Sequence, residues 1–327
     1  MTTAADALLA LPGTDLHVSR LCLGGNRFGS ALDEGESFAL LDTFAELGGN
    51  FVDTALVYAD WVPGVERSCS ERTLGRWLTT RNCRNEMVVA TKGGHPDLTH
   101  PAGPRLDRAS LRADAYASAE NLGGAPIDLY YLHRDDPSRP IEDILDTMET
   151  LVDEGVIRYY AASNFSAERL SAAEEGANVS GVRGFVANQL EWSLAAPKAE
   201  RVATDLTFMD PSLLEFHRTH RLPVVPYSAQ AKGYFEKIRG TGPMPESVER
   251  YDTLGNAHIA EILNRLADEY GTDATALALR ALIDCEIDTV PVVGCRTGEQ
   301  LRRSWSCLDI TLNPADSELL TSLTLSH

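Results

Sequence analysis

The stretch NFVDTALVY at residues 50–58 opens on a short apolar run, places Asp53 at its carboxyl end and reaches Tyr58 five residues later. Two further runs repeat the design: EMVVATK at 86–92 ends in Lys92, and IDLYYLH at 127–133 ends in His133. A strand that ends in an ionisable residue is how a parallel α/β sheet presents chemistry along one rim. Any one of these residues alone reads as a surface ion pair. Together, on successive strands, Asp53, Tyr58, Lys92 and His133 read as a group aimed at one place.

Outward from this centre, apolar or β-branched runs alternate with segments of helical period. Strands are expected at 20–24, 50–53, 87–92, 128–133, 156–162, 185–189, 222–227 and 289–293. Helices are expected at 36–47, 70–79, 107–122, 141–153, 166–176, 209–219, 257–269, 273–283 and 298–306. N-cap signals stand at Ser70, Asp107, Ser166 and Asp210, the last followed by Pro211. Eight β-then-α repeats with no compositional break favour an α/β fold of the closed (β/α)8 TIM-barrel type, a single domain over residues 1–327, because closure leaves no open edge. The alternative, an open doubly wound sheet, usually carries GxGxxG after its first strand, and Gly24, Gly25 and Gly29 of LCLGGNRFG miss that spacing. Two longer stretches, 93–106 and 228–256, follow strands and are expected as lids on the carboxyl rim. Residues 1–19 are expected to form a small plug or hairpin at the other end.

With 48 acidic against 29 basic side chains the net charge is -19, which repels nucleic acid and anionic membrane surfaces. The six cysteines are scattered without a CxxC pair or clustered histidines, a pattern that predicts neither a disulfide nor a metal site. No run approaches the ~20 apolar residues of a membrane span, and the amino terminus lacks a signal-peptide pattern. The expected location is cytoplasmic.

A phenol near its ordinary pKa of ~10 is a poor proton donor at neutral pH, and an adjacent ammonium is expected to draw that value down. Lys92 would play this part for Tyr58, Asp53 would hold Lys92 charged, and His133 would hydrogen-bond a substrate carbonyl. Such a group suits proton transfer to an oxygen while carbon receives a hydride, which a cofactor must supply. It lacks the paired nucleophile and base of acyl transfer.

FVDTALVY, VVATKGG, DLYYLHRDDP, GVIRYYAASNFS, ANQLEWSLA, VVPYSAQAKGYF and VPVVGCRTGEQL resemble the successive signatures of the aldo-keto reductase superfamily, in the family's order from about residue 16 to 310. Within it the chain looks more like the bacterial and potassium-channel β-subunit branch than like the mammalian steroid reductases. The resemblance implies a (β/α)8 barrel enzyme interconverting an aldehyde or ketone and an alcohol. Tyr58 would be its general acid and base, tuned by Lys92 and Asp53, with His133 orienting the carbonyl. It further implies that Ser163, Asn164 and Gln189 bind the nicotinamide carboxamide and that Tyr227 stacks on the ring. Gly24 and Gly25 would admit close backbone approach, and Ser228, Lys232 and Gly233 would follow the pyrophosphate. Gly294, Arg296, Thr297 and Gln300 would meet the adenosine end at a helix start, where Arg296 points to NADP(H), with NAD(H) as the alternative. One departure stands out: Arg303 and Ser304 occupy positions where the family commonly has Glu and then Asn.

Trp61, His95 and His100 lie in or near the rim loops as candidate substrate contacts, and Trp192 is weighed between substrate contact and packing. His95, Asp97 and Arg105 suggest a polar pocket, hence a sugar or polyol. Two other readings stand beside the enzyme: a cofactor-holding, redox-sensing subunit with vestigial activity, and a Schiff-base lyase, which needs a neutral Lys92. Neither substrate identity nor oligomeric state is written in these residues.

Overall fold

The computed structural model describes residues 8–98, 103, 105–240 and 243–324. His100 lies outside the described residues, as do parts of both expected rim loops. The chain begins with a hairpin of β1 (Leu8–Ala10) and β2 (His17–Ser19). There follow β3 (Cys22–Gly24), α1 (Glu34–Glu46), β4 (Phe51–Asp53), α2 (Cys69–Arg81), β5 (Val88–Gly93), α3 (Arg108–Asn121), β6 (Ile127–Leu132), α4 (Ile141–Asp153), β7 (Ile157–Ser163), α5 (Ala167–Ser180) and β8 (Asn188–Gln189). The remainder is helical apart from β9 (Val292–Val293): α6 (Pro211–His220), α7 (Tyr234–Lys237), α8 (Glu246–Glu249), α9 (Leu254–Tyr270), α10 (Ala274–Asp284), α11 (Gly298–Trp305) and α12 (Pro314–Thr324).

Seven strands form one curled parallel sheet in the order β8-β7-β6-β5-β4-β3-β9. Its centre is apolar on both faces, as a covered parallel sheet requires, and β5 and β6 are buried along their whole length. Side chains alternate between two cores. Val52, Val89, Tyr130 and Leu132 face the helices, while Phe51, Ala90, Leu129 and Tyr131 face an inner cluster. Leu11, Leu16 and Val18 of the hairpin join that inner cluster, so the expected hairpin covers one end of it.

The two sheet edges are linked through residues 223–227. Asn188 N donates to Pro223 O, Val225 N to Asn188 O and Tyr227 N to Leu190 O, while Val290 N donates to Val224 O and Val292 N to Pro226 O. The expected strand at 222–227 pairs only through isolated bridges because Pro223 and Pro226 have no N–H to give. Pro291 shortens the last strand to Val292–Val293 in the same way.

The capping expectations hold at Asp107, Ser166 and Asp210, whose side chains accept from the first-turn backbone. Ser70 is a correction. Helix α2 starts at Cys69 after a left-handed Ser68, and the Ser70 hydroxyl donates to Gly25 O at 2.7 Å and lies 2.6 Å from Thr54 Oγ1. It braces two rim loops instead of capping a helix. Helices α7, α8 and α12 are additional to the expected set; α7 and α8 are four residues each, too short to show a period.

His217 of α6 is 1% exposed and fastens β8, with Nε2 3.2 Å from Asn188 Nδ2 and Nδ1 2.8 Å from Leu222 O. Burial pushes this ring down to about 4, against the pull of the Leu222 carbonyl. The unfolded chain takes up the proton near 6.5 and the folded chain only near 4, so stability is lost as pH falls through that window. Urea unfolding at about pH 7 and about pH 4.5 should show His217→Gln losing about 2 kcal/mol less than the native chain over the interval. Equal losses would remove the ring as the source.

Candidate active site

Sheet register brings the expected tetrad together. Asp53 closes β4, Lys92 is the penultimate residue of β5, and His133 follows β6 with its N–H on Gly93 O at 2.8 Å. Tyr58 sits in the turn after β4, and Leu56 N in that turn donates to Lys92 O at 3.1 Å, so β5 holds the turn directly.

Lys92 is 1% exposed. Its Nζ donates to Asp53 Oδ1 at 2.7 Å, Asp53 Oδ2 at 2.6 Å, Thr54 O at 2.8 Å and Tyr58 Oη at 3.0 Å. Burial alone would lower the pKa of this amine, but Asp53 and Tyr58 outweigh it and hold the value above the ordinary lysine range. A charged Lys92 is the opposite of what a Schiff-base lyase needs. Gln189 Nε2 donates to Asp53 Oδ1 at 3.0 Å, completing the ring of partners around the ion pair.

The net direction at Tyr58 corrects the sequence expectation. Loss of solvent raises its pKa above 10, and Lys92 offsets this only in part while Asp53 adds to it. Tyr58 is therefore a protonated phenol. Because Lys92 donates into the phenolic oxygen, the Tyr58 O–H is left to point at another acceptor.

His133 is buried, and its pKa lies well below the ordinary histidine value through burial, with Arg134, Lys92 and His95 adding to the effect. The ring is neutral, and its Nδ1 is buried without a hydrogen-bond partner among the described residues. It lies edge-on to Tyr58 at 5.9 Å between centroids and to His95 at 4.8 Å.

Several residues expected at a cofactor line the same rim. Ser163 and Gln189 are register partners on β7 and β8. Asn164 follows in the left-handed conformation with φ 62°. Its amide Nδ2 donates to His133 O and Ser163 Oγ, while Oδ1 accepts from Thr207 N and from Tyr227 Oη at 2.8 Å. These bonds fix the His133 loop relative to the Tyr227 ring. Ser228, Lys232 and Gly233 all have positive φ in the segment after Tyr227, and Gln230 ties that segment to Gly294 N at 3.0 Å and Ser304 Oγ at 2.9 Å. Thr297 caps α11, and Gln300 Oε1 accepts from Arg296 N at 2.8 Å, so both serve the helix start. Gly24 and Gly25 are sterically required, since a Cβ there would lie 2.9 Å from Val292 and 2.8 Å from the Phe28 ring.

Arg27 was missed in the sequence. Its guanidinium and that of Arg296 repel each other, and Lys237 feels both. Neither arginine has an ion-pair partner among the described residues, in a chain of net charge -19. Its position two residues after Gly25 was the available signal. Arg303 does the reverse: it pairs with Glu236 Oε1 at 2.9 Å and Asp273 Oδ2 at 3.3 Å, pinning α7 against α10 and α11.

Among substrate candidates, Trp61 is 54% exposed and edge-on to Tyr58 at 6.2 Å, and His95 lies beside His133. Trp192 is a correction: it is 2% exposed and its indole donates to Thr324 O at 3.4 Å, so it packs beneath α12. Arg105 is likewise unavailable, held by Asp114 through two bonds of 3.1 and 2.8 Å.

Comparison with known proteins places these features in a family. The model of the aldo/keto reductase family matches residues 20–324. The norsolorinic acid reductase stcV of Emericella nidulans is 29% identical over 322 residues, covering 92% of this chain and 77% of that protein. The aryl-alcohol dehydrogenase [NADP(+)] of Phanerodontia chrysosporium is 28% identical over 339 residues, covering 94% and 83%. The uncharacterized oxidoreductase YrpG of Bacillus subtilis is 31% identical over 317 residues, covering 95% and 92%. The chain belongs to the aldo/keto reductase family and is a nicotinamide-dependent oxidoreductase acting on small carbonyl compounds or alcohols.

Proposed function

We propose that the protein is a cytoplasmic, NADP(H)-dependent reductase of aromatic aldehydes or ketones, running the reverse alcohol oxidation at the same site. The observation that carries this reading is the 3.0 Å bond from a buried, charged Lys92 to the Tyr58 oxygen. The fold behind it is read as one closed eight-stranded barrel, with residues 223–227 as the eighth staff. The backbone bonds on both sides of that segment support this, although its prolines keep it from pairing as a full strand.

The residues present fit a nicotinamide dinucleotide phosphate. Arg27, Arg296 and Lys237 form a cationic cluster that calls for a polyanion, and Ser163 and Gln189 end β7 and β8 on the same rim as the tetrad. When bound, the nicotinamide supplies a hydride to the carbonyl carbon. Tyr58 gives its free O–H to the carbonyl oxygen, and the Lys92 ammonium stabilises the phenolate left behind. His133, neutral, carries one ring proton; on Nε2 it donates to the same oxygen. Asp53 and Gln189 keep Lys92 in place throughout.

An aryl substrate is favoured over the sugar or polyol first expected. The polar pocket rested partly on Arg105, which Asp114 occupies, while Trp61, Val62 and Leu98 expose apolar surface near the rim. Two of the similar proteins carry reductase or aryl-alcohol dehydrogenase names. A redox sensor with vestigial activity is not favoured, because the charged Lys92–Asp53 pair is set on the Tyr58 oxygen as proton transfer requires.

Tyr58→Phe is expected to lower the turnover of aryl aldehydes by about 10³-fold while NADPH affinity, measured by fluorescence titration, stays within about twofold. Unchanged turnover would sink the assignment. The pH profile of the reduction rate should stay flat through neutrality and fall only above 10, since the acid must be protonated and its pKa is raised. His133 adds no step near 6.5, being neutral there already. Arg296→Ala should raise the Kd for NADPH by about 10- to 100-fold and leave that for NADH unchanged, because a charge-assisted phosphate contact is worth about 1.5–3 kcal/mol. Equal losses for both cofactors would mean that Arg296 does not read the 2′-phosphate.

A further inference from the structure

His95 follows directly on Gly94, past the end of β5, and its Nδ1 lies 2.8 Å from Pro96 O. A carbonyl oxygen only accepts, so the ring proton must be on Nδ1. Burial keeps the ring below the ordinary histidine pKa; the Pro96 carbonyl and Asp205 pull the value up, and Arg134 and Arg105 push it down. In the neutral ring Nε2 is then a bare lone pair, able to accept and unable to donate. Among the described residues Nδ1 is the ring nitrogen that is engaged.

The place of this lone pair gives it meaning. The His95 ring is 4.8 Å from that of His133, which is 5.9 Å from that of Tyr58. Two imidazoles of opposite character thus stand side by side: His133 has a proton for the carbonyl oxygen, and His95 has only an acceptor. A substrate satisfies both when it carries a hydroxyl donor near its carbonyl. The exposed Trp61 also stands edge-on to Tyr58, and adds aromatic surface near the same phenol. Arg105, tied to Asp114, offers nothing to a carboxylate.

We propose that His95 is a specificity-determining residue that accepts a hydrogen bond from a ring hydroxyl, so that the preferred substrates are hydroxylated aryl carbonyls. This rests on the aryl carbonyl reading given above. A site with an acceptor set beside the reacting group discriminates against an analogue that has no donor for it, since that hydrogen bond is then not made.

The test is kcat/KM with NADPH at about pH 7 for the ortho, meta and para hydroxybenzaldehydes against their methoxy counterparts, in the native protein, His95→Phe and His95→Gln. The native protein should prefer at least one hydroxy isomer over its methoxy partner by about tenfold. In His95→Phe that ratio should fall to about one. His95→Gln, whose amide oxygen also accepts, should keep part of the preference, and NADPH titration of each variant verifies an intact fold. A native ratio near one for all three isomers, or a preference that survives in His95→Phe, overturns the proposal. Failure to reduce any of the six aldehydes overturns the aryl reading and this proposal together, whereas equal turnover of hydroxy and methoxy forms overturns this proposal alone.

Discussion

A lysine ammonium with 1% of its surface exposed, set on the carboxylate of Asp53, is the constraint around which the rim is arranged. Burying two charges costs several kcal/mol per ion, and the cost is met only where geometry and further hydrogen bonds are complete. Here Thr54 O and Tyr58 Oη complete the shell of the amine, and Gln189 completes that of the acid. Removing either partner would strand a charge in the core. The adjacent registers of β4, β5 and β6 therefore have to be held firmly, and the long two-sided apolar runs of β5 and β6 do this.

The rim loops are fastened by polar hubs of the same kind. Glu191, just past β8, takes Arg250 at 2.8 Å and Tyr251 at 2.5 Å from the far end of the segment that crosses the rim. Near its start, Ser228, Ala231 and Lys232 adopt left-handed backbone, each at an energetic cost that persists only where surroundings enforce it. Gln230 and the Arg303 pairs supply that enforcement. The Arg303 and Ser304 departure from the family pattern thus acquires a structural use: one residue anchors α7 and the other receives Gln230.

Sequence revealed the strands whose apolar runs are long and the four residues that end or follow them, because both signals are local. It was poorer where prolines break pairing, as in LPVVPY and TVPVV, since a strand recognised by composition does not announce how many N–H groups remain to pair. Ser70 looked like a cap because nothing local tells where its hydroxyl goes. Asn164 and Trp192 were placed by their motif neighbours, yet their partners, Tyr227 and Thr324, lie 63 and 132 residues away. The direction of the Tyr58 shift was equally hidden. Proximity to Lys92 was legible, but the loss of water around the phenol is set by the entire fold and proved the larger influence.

That direction bears on which way the chemistry runs. A phenol whose pKa is raised is protonated at neutral pH, the form that the proposed carbonyl reduction starts from, and is a weaker acid there without help; alcohol oxidation starts from the phenolate. Lys92 stays charged under the same conditions, so in the proposed step it would stabilise the phenolate as the proton leaves without producing it beforehand. The charge arrangement is thus asymmetric: it favours the transition state of proton donation while keeping the resting enzyme in its acid form. In the proposed reaction, oxidation at the same site would gain as alkaline conditions deprotonate Tyr58, whereas reduction would start from the form present near neutrality.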